Sequence, residues 1–149
     1  GPAGPLRELA RSRLDELAGH AKTKPAALWQ EFFAAWQERD YARGETLLRR
    51  LIEDYPTDAG VQSGDAQFRL FGCVGNLGRL EDAVREADLL LVTHNSFHAN
   101  DYALYFKAYY LFQLKRPQEA LATLNQLQNR YPDSSMRSFA EDLRKEINK

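Results

Sequence analysis

The feature that most constrains this chain is a set of five positions that occurs three times with the same internal spacing. The successive separations are 3, 4, 3 and 5 residues, and Phe32, Phe71 or Ala108 stands nine residues before each set. The three sets are Tyr41, Gly44, Leu48, Leu51 and Pro56; Leu80, Ala83, Ala87, Leu90 and Asn95; and Pro117, Ala120, Leu124, Leu127 and Pro132. Steps of three and four residues are typical of one helix face, and such self-similarity indicates a repeat architecture.

Each set predicts the second helix of an antiparallel helical hairpin. Its small residue allows two helix backbones to approach closely, and its final proline or asparagine ends the helix, since helices rarely continue through X-Pro. The first helices carry narrow apolar stripes: Leu28, Phe32 and Ala35; Leu70, Phe71 and Val74; and Leu104, Ala108 and Leu111. Alternating strand patterns do not occur in the sequence. We therefore predict an all-α fold with hairpins at residues 26–56, 65–95 and 101–132.

The hairpin pattern resembles the tetratricopeptide repeat (TPR) family. The second-helix positions match the family pattern, whereas no tryptophan occupies the first-helix place taken by Leu28, Gln67 and Leu104. The copies are 39 and 37 residues apart instead of the family's roughly 34, which predicts enlarged turns between hairpins. The resemblance implies a right-handed superhelix of stacked antiparallel hairpins, with the first helices lining a concave inner wall.

The N-terminal segment is predicted to flank this stack. The chain begins with "GP", which resembles the remnant left by a tag-removing protease, and we predict that residues 1–5 are disordered. Ala10, Leu14 and Leu17 repeat the core spacing of a second helix. Residues 6–22 are therefore predicted to form either half of a truncated repeat or an N-terminal capping helix.

The C-terminal segment, residues 134–148, is predicted to form a capping helix within a single domain that spans residues 6–149. "YPDSS" supplies the stop of the preceding helix and the N-cap of this one. One apolar stripe runs along it: Met136, Phe139, Ala140, Leu143 and Ile147. Such a one-faced helix closes a stack that would otherwise expose its last hydrophobic face.

Composition and charge narrow the function classes. Twenty Lys and Arg residues nearly balance 21 Asp and Glu residues, giving a net charge of −1, and because both signs are interspersed we predict no nucleic-acid partner. No apolar run approaches the roughly 20 residues that span a bilayer, so direct membrane insertion is not predicted. The single cysteine, Cys73, lies among apolar residues and is predicted to be buried and unreactive.

Catalytic and cofactor motifs are absent from the sequence. "GCVGNLGRL" lacks the preceding strand and the lysine-serine pair of a phosphate-binding loop, and no nucleophile motif occurs. His94, His98 and Asp101 have a spacing that metals can use on a helix, but they fall in a predicted turn. We expect His94 to end one helix and Asn100 or Asp101 to cap the next. The chain is predicted to be non-enzymatic, with no cofactor and no metal.

Aromatic residues exceed the needs of the hairpin core in "NDYALYFKAYYLFQL", residues 100–114. Four of them fall on a helical face separate from the core stripe, and the motif alignment turns that face towards the inner wall. Large aromatic side chains are also frequent interface anchors. We predict a partner-binding groove with two aromatic sides and a nearly bare middle helix: Trp29, Phe33, Trp36, Phe68, Gly72, Gly75, Asn76, Tyr102, Tyr105, Tyr109 and Phe112. Two alternatives are internal packing of these rings and occupation of the groove by residues 6–22.

The predicted function is a protein–protein interaction module that binds a peptide or partner protein in this groove, within a larger bacterial protein. One alternative is an accessory domain of a membrane-anchored regulator of the anti-sigma or sensor type; another is a small-molecule binder that uses the same groove. "YPDSS" is similar to TPR domains of bacterial envelope proteins, which favours a periplasmic or membrane-attached location through an upstream segment. The partner, the compartment and the oligomeric state stay open.

Overall fold

The computed structural model describes residues 3–149, apart from the side chains of residues 3, 6, 10 and 12–23. Over this range the secondary structure is helical, and no strand occurs in the described part of the chain, which confirms the all-α prediction. The helices are α1 (Ala3–Gln37), α2 (Tyr41–Asp54), α3 (Ala59–Gln62), α4 (Asp65–Asn76), α5 (Leu80–Thr93), α6 (Asn100–Gln113), α7 (Pro117–Arg130) and α8 (Arg137–Ile147).

The helices stack as antiparallel hairpins of the TPR type. The C-terminal part of α1 pairs with α2, α4 pairs with α5, and α6 pairs with α7, while each following first helix packs on the second helix before it. We call the surface formed by α1, α4, α6 and α8 the inner wall. The short helix α3 lengthens the connection between α2 and α4, as the enlarged spacing between the first two copies predicts.

The turn inside each hairpin has the same geometry. Arg39, Gly78 and Lys115 adopt left-handed backbone conformations, with φ of 58°, 77° and 64°. The residue after each of them donates its N–H to the carbonyl five positions back, as Arg79 does to Val74 at 3.3 Å. This is the Schellman ending of a helix, in which glycine is the least strained residue at the left-handed position. The common turn gives the three hairpins a common shape.

The predicted apolar stripes form the core. Phe32, Leu104 and Ala108 are each fully buried, as are Leu48 and Leu90 on the second helices. The remaining stripe residues Leu28, Ala35, Leu70, Phe71, Val74 and Leu111 are at most 5% exposed.

The small residue of the first hairpin marks a close helix approach. A Cβ atom added to Gly44 would lie 2.9 Å from the Cys73 Sγ, so α2 and α4 meet where glycine leaves room. Cys73 is fully buried, as predicted, and burial raises the pKa of its thiol to about 12. The thiol therefore stays protonated and unreactive at neutral pH.

The N-terminal prediction needs correction. A single helix runs from Ala3 to Gln37 and passes through Pro25, so residues 3–5 are helical and residues 6–22 do not form a separate helix before the first hairpin. Gly19 lies six residues before Pro25, but no second breaker adjoins the proline. A proline inside a helix removes one backbone hydrogen bond and favours a kink, which does not by itself reverse the chain. The stripe Ala10, Leu14 and Leu17 lies outside the residues whose side chains the structure describes.

The connection between α5 and α6 also differs from the prediction. α5 ends at Thr93, just before His94, as expected. Asn100 does not cap α6; it is the fully buried first residue of that helix, and its Nδ2 donates to the His94 carbonyl at 2.8 Å. Because the last carbonyls of a helix lack partners within the helix, Asn100 satisfies the end of α5 instead.

The C-terminal helix α8 covers the end of the third hairpin with most of its predicted stripe. Met136, Ala140 and Leu143 are buried against the α6–α7 core. Phe139 is the exception, since it is 55% exposed on the inner-wall side of α8. Ser134 accepts the Met136 N–H at 3.0 Å and donates to the Asp101 carboxylate at 2.6 Å, which ties the start of α8 to the start of α6.

Candidate functional site

An apolar cleft opens on the inner wall between α4 and α6. Its volume is about 320 Å³, and its lining residues come from α1, α4 and α6: Trp36, Phe68, Arg69, Phe71, Gly72, Asn76, Phe106 and Tyr110. We call it the α4–α6 cleft. Trp36 and Phe106 are 37% and 38% exposed, so two large rings remain accessible at its sides.

The floor of the α4–α6 cleft is the backbone of α4 at Gly72. A Cβ atom added to Gly72 would meet the Trp36 ring at 3.5 Å, an ordinary van der Waals distance, so the cleft holds space beyond that position. Asn76 donates its Nδ2 to the Gly72 carbonyl at 2.8 Å, which holds the amide against the helix. The predicted combination of Trp36, Phe68, Gly72 and Asn76 is therefore brought together.

One charged group lines the α4–α6 cleft. The Arg69 guanidinium lies 4.9 Å from the Phe33 ring centroid and 3.0 Å from an Asp65 carboxylate oxygen. A cation over a ring face is attracted by the ring quadrupole, and the carboxylate balances its charge. Arg69 thus joins α1 to α4 and leaves the cleft close to neutral.

The α6 side of this cleft is formed by Phe106 and Tyr110, where the sequence predicted Tyr105 and Tyr109. The Tyr110 ring packs edge-on to Phe71 at a centroid distance of 5.9 Å. It also covers Gly75, because an added Cβ there would overlap the Tyr110 hydroxyl and lie 2.8 Å from its Cζ. Gly75 is therefore a seat for a ring and does not belong to an open floor. Burial, with a smaller effect of Tyr109, raises the pKa of Tyr110.

Tyr105 faces the next helix of the inner wall, and Tyr109 is exposed beside it. Their rings stack at 6.4 Å, and Tyr105 lies 6.1 Å from Phe139 of α8. A second opening, the α6–α8 cleft, has a volume of about 540 Å³ and is lined by Tyr102, Tyr105, Phe106, Ser135, Met136 and Phe139. Phe106 borders both clefts, so they adjoin along the inner wall.

Two of the predicted groove residues belong elsewhere. Trp29 donates its Nε1 to the Asp58 carboxylate at 2.9 Å and covers Gly60, which fastens α3 to α1. Phe112 is partly buried against the core around Leu111 and Leu124. Phe112 lies ten residues after Tyr102, which turns it by about 80° around the axis of α6. Trp29 stays on the same face of α1 as Phe33, on which its ring stacks at 5.9 Å, but it lies about two turns before Trp36 and outside the cleft. Phe33, by contrast, lies on the inner wall and is 44% exposed.

The comparison with protein families decides the assignment of this hairpin stack. A family model described as tetratricopeptide repeat matches residues 102–134, which cover α6, α7 and the turn into α8. This match and the stack of helical hairpins together support assignment of the chain to the TPR family. No curated protein matches it, and the narrower resemblance to bacterial envelope proteins receives no support. A TPR suggests a protein–protein interaction scaffold, and the family is typically non-catalytic.

The stacking of the hairpins explains why the spacing of aromatic residues along α6 does not single out Phe106. In the alignment of the second and third hairpins Phe106 corresponds to Arg69, which contacts Phe33 on the preceding first helix. Tyr105 corresponds to Phe68, which is turned towards the following first helix and its turn, where it meets Phe97 at 5.4 Å. On each first helix, one residue thus contacts the preceding hairpin and the next residue in sequence contacts the following hairpin. A cleft between two first helices is lined by residues of both kinds, and aligning the second and third hairpins is the way to find them from the sequence.

The other side of the TPR stack is held by ion pairs. Glu45 on α2 accepts from Arg79 at 2.7 Å and from Arg49 at 2.9 Å, and Arg49 also reaches Glu86 on α5 at 3.3 Å. Burial alone would raise the pKa of the Glu45 carboxyl, but the hydrogen bonds from Arg49 and Arg79 outweigh it and lower that pKa. This polar surface contrasts with the aromatic inner wall.

His94, His98 and Asp101 have a spacing that metals can use on a helix, but they lie at the connection between α5 and α6. Among the residues that the structure describes, no group of three or more His, Cys, Asp or Glu side chains is arranged to hold a metal ion. The His94 side chain packs near Gly64, and its Cβ lies 2.8 Å from where a Cβ added to that glycine would be.

In the part of the chain that the structure describes, no helix is both long and apolar enough to cross a membrane.

Proposed function

We propose that the inner wall binds a segment of a partner protein, with the α4–α6 cleft receiving an apolar anchor residue of that segment. The observation that carries this proposal is the accessible aromatic cleft over a glycine floor. Trp36 and Phe106 remain more than a third exposed although their helices are otherwise well packed. Contiguous exposed apolar surface of this kind marks interaction sites.

The chemistry of the cleft favours an apolar anchor. Arg69 is neutralised by Asp65, and the remaining lining groups are rings, a backbone surface and one amide. Aromatic side chains offer large contact area at a small entropic cost, and the Asn76 amide and Tyr110 hydroxyl can hydrogen-bond to a peptide backbone. The binding role predicted for Trp36, Phe68, Gly72 and Asn76 rests on this combination, to which we add Phe106 and Tyr110.

A small-molecule ligand is the competing function for the same cleft. A volume of about 320 Å³ is near the lower end of the roughly 300–1,000 Å³ found for small-molecule pockets. The α4–α6 and α6–α8 clefts adjoin at Phe106, which lines both. Two adjoining clefts suit a chain segment better than a compact ligand.

The test uses two substitutions at one residue. A random peptide library is selected against the parent chain, and the affinities of the selected peptides are measured by calorimetry. Gly72→Ala fits beside Trp36 at an ordinary contact distance and should leave binding within about twofold, because it adds only a methyl group. Gly72→Leu should fill the cleft and weaken binding by at least about tenfold, or about 1.4 kcal/mol.

The matched control is Leu89→Ala. Leu89 is 52% exposed on α5 and lies with Arg49 and Ile52 on the other side of the stack. It should leave the affinity unchanged. If no peptide binds, or if Gly72→Leu binds the selected peptides as the parent does, the proposed function is wrong; selection of small aromatic compounds instead would favour the competing function.

A further inference from the structure

The α6–α8 cleft differs in chemistry from its neighbour. Four of its six lining residues are aromatic, a fifth is Met136, and none of the six carries a charge. Phe139 and Tyr102 are 55% and 41% exposed, so ring surface is accessible at both sides. The cleft is not filled by any described residue of the chain. Phe139 is not one of the α8 residues that pack in the buried core, which are Met136, Ala140 and Leu143.

The rings of the α6–α8 cleft have different orientations. The Tyr105 ring makes an angle of 57° with Phe139 and 74° with Phe106, at centroid distances of 6.1 Å and 5.1 Å. Ring faces carry negative electrostatic potential and ring edges carry positive potential. Inclined rings around one opening can therefore surround a cation with more than one ring face, an arrangement that recurs in the recognition of ammonium and guanidinium groups.

Two carboxylates belong to residues near the lining of this cleft in the chain, although neither is part of the lining itself. Asp142 lies three residues after Phe139, on the same face of α8. Burial is the main cause that raises the pKa of the Tyr105 phenol, and the nearby Tyr109 and the negative charge of Asp142 add to it. Asp101 adjoins Tyr102 and is joined through Ser134 to the start of α8. Asp101 also offsets the partial positive charge at the start of α6.

Two of the three basic residues of α8 contact other partners, and so does Lys149, which follows the helix. Arg137 pairs with Glu141 at 3.2 Å and lines a different groove, between α7 and α8. Arg144 donates to Asn125 at 2.8 Å, and Lys149 pairs with Glu146 at 3.0 Å. Lys145 is the third basic residue of α8, and neither it nor Asp142 forms an ion pair with a described residue. The Asp142 carboxylate therefore remains available to complement a positive ligand.

We propose that the α6–α8 cleft binds the positively charged side chain of an arginine or lysine from the partner segment. The proposal rests on the proposed function, since it assigns a second anchor to the same inner wall. The methylene stem would lie against Met136 and the rings, while the charged head stays near Asp142, as long basic side chains commonly divide between apolar and polar surroundings. The partner then carries an apolar residue for the α4–α6 cleft and a basic residue for the α6–α8 cleft.

The test uses three blocked tripeptides, Ac-Ala-X-Ala-NH₂, in which X is arginine, its neutral isostere citrulline, or norleucine. The full chain is titrated with each peptide, and the NMR signals of labelled tyrosine and phenylalanine rings are followed. The arginine peptide should shift the signals of Tyr102, Tyr105 and Phe139, and should bind at least about fivefold tighter than the other two peptides. Equal affinity for the norleucine or citrulline peptide would overturn the proposal, because the cleft would then recognise shape alone.

Variants separate the ring contribution from the charge contribution. Phe139→Leu should weaken the arginine peptide by about fivefold or more, whereas Phe139→Trp should retain its binding, since tryptophan is the best cation–π partner. Asp142→Asn should weaken binding by about threefold, or roughly 0.6 kcal/mol, and Glu141→Gln, on the Arg137 side of α8, should have no effect. Unchanged affinity of Phe139→Leu would contradict the assignment.

Failure of this inference can be told from failure of the proposed function. If selected peptides lose affinity with Gly72→Leu but show no dependence on Phe139 or on a basic residue, the α6–α8 cleft proposal is wrong and the interaction function stands. The opposite outcome is also distinct. If the arginine tripeptide binds as expected but none of the longer library peptides binds the α4–α6 cleft, the cation site stands and the two-anchor partner is wrong.

Discussion

At the scale of single residues, two glycines on one helix have opposite roles. Gly72 and Gly75 are three residues apart on α4, and both were predicted to form a bare floor. The space beside Gly72 admits a methyl group, whereas the space beside Gly75 is taken by Tyr110. Only the first glycine leaves room for a ligand; the second leaves room for the ring that forms the side of the cleft.

The glycine pair gives a stability prediction. Gly72→Ala should stabilise the fold by up to about 1 kcal/mol, because alanine is the better helix former and meets no obstacle. Gly75→Ala should destabilise it by about 1–2 kcal/mol, because the new methyl group forces the Tyr110 ring to move. Urea unfolding monitored by circular dichroism measures both changes. A stabilising Gly75→Ala would show that Tyr110 is not seated on the α4 backbone.

At the scale of helices and turns, the three Schellman turns give a prediction that uses their shared geometry. Arg39 and Lys115 are exposed residues in a left-handed conformation, and Gly78 occupies the same place in the second hairpin. Replacing Lys115 or Arg39 by glycine should raise the free energy of unfolding by roughly 0.5–1 kcal/mol, since a Cβ atom is strained in this conformation.

Gly78→Ala is the matched control for this turn prediction. An added Cβ at Gly78 has no described atom within 4 Å, so the substitution should cost about 1 kcal/mol through backbone strain alone. Thermal unfolding of the three variants is sufficient for the comparison. Loss of stability in Lys115→Gly would mean that the lysine side chain contributes more than its backbone conformation costs.

Helix positions and core stripes could be predicted from the sequence because they depend on local spacing. Gly44, Leu48 and Leu51 are buried as expected on the small-and-apolar pattern of one helix. The residues of the inner wall could be predicted only in part. Tyr105 and Phe106 are adjacent in sequence, but only Phe106 also lines the cleft towards the preceding hairpin. That choice depends on the angle between neighbouring helices, which no single helix encodes.

For the N-terminal helix, the local spacing was not sufficient to predict where the helix ends. The spacing of Ala10, Leu14 and Leu17 is compatible with a hairpin helix, but nothing in the local sequence forces the chain to reverse before Pro25. A proline inside a helix usually kinks or ends it, but the residue before a proline is not always a helix boundary. The continuous α1 therefore depends on the absence of a turn, which periodicity alone did not reveal.

At the scale of the whole molecule, the TPR stack separates two surfaces with different chemistry. Second helices carry cross-helix ion pairs such as Arg79–Glu45, and first helices carry accessible rings. Aromatic residues that pack only inside a core would be expected to lie near full burial, as Phe32 and Phe71 do. Several rings of α1, α6 and α8 instead line two adjoining clefts: Trp36, Tyr102, Tyr105, Phe106, Tyr110 and Phe139.

The most direct test of this account compares Phe106→Ala with Leu111→Ala in paired measurements of unfolding and peptide affinity. Phe106 borders both clefts and is 38% exposed, whereas Leu111 is 1% exposed in the hairpin core. Phe106→Ala should weaken binding of library-selected peptides by about 2 kcal/mol, as for an interface anchor, and should cost clearly less stability than the about 2–5 kcal/mol expected for Leu111→Ala. Leu111→Ala should lower the melting temperature without selective loss of affinity in the folded fraction. If Phe106→Ala instead destabilises the protein as severely as Leu111→Ala, the aromatic residues of α6 belong to the core and the inner wall is not a binding surface.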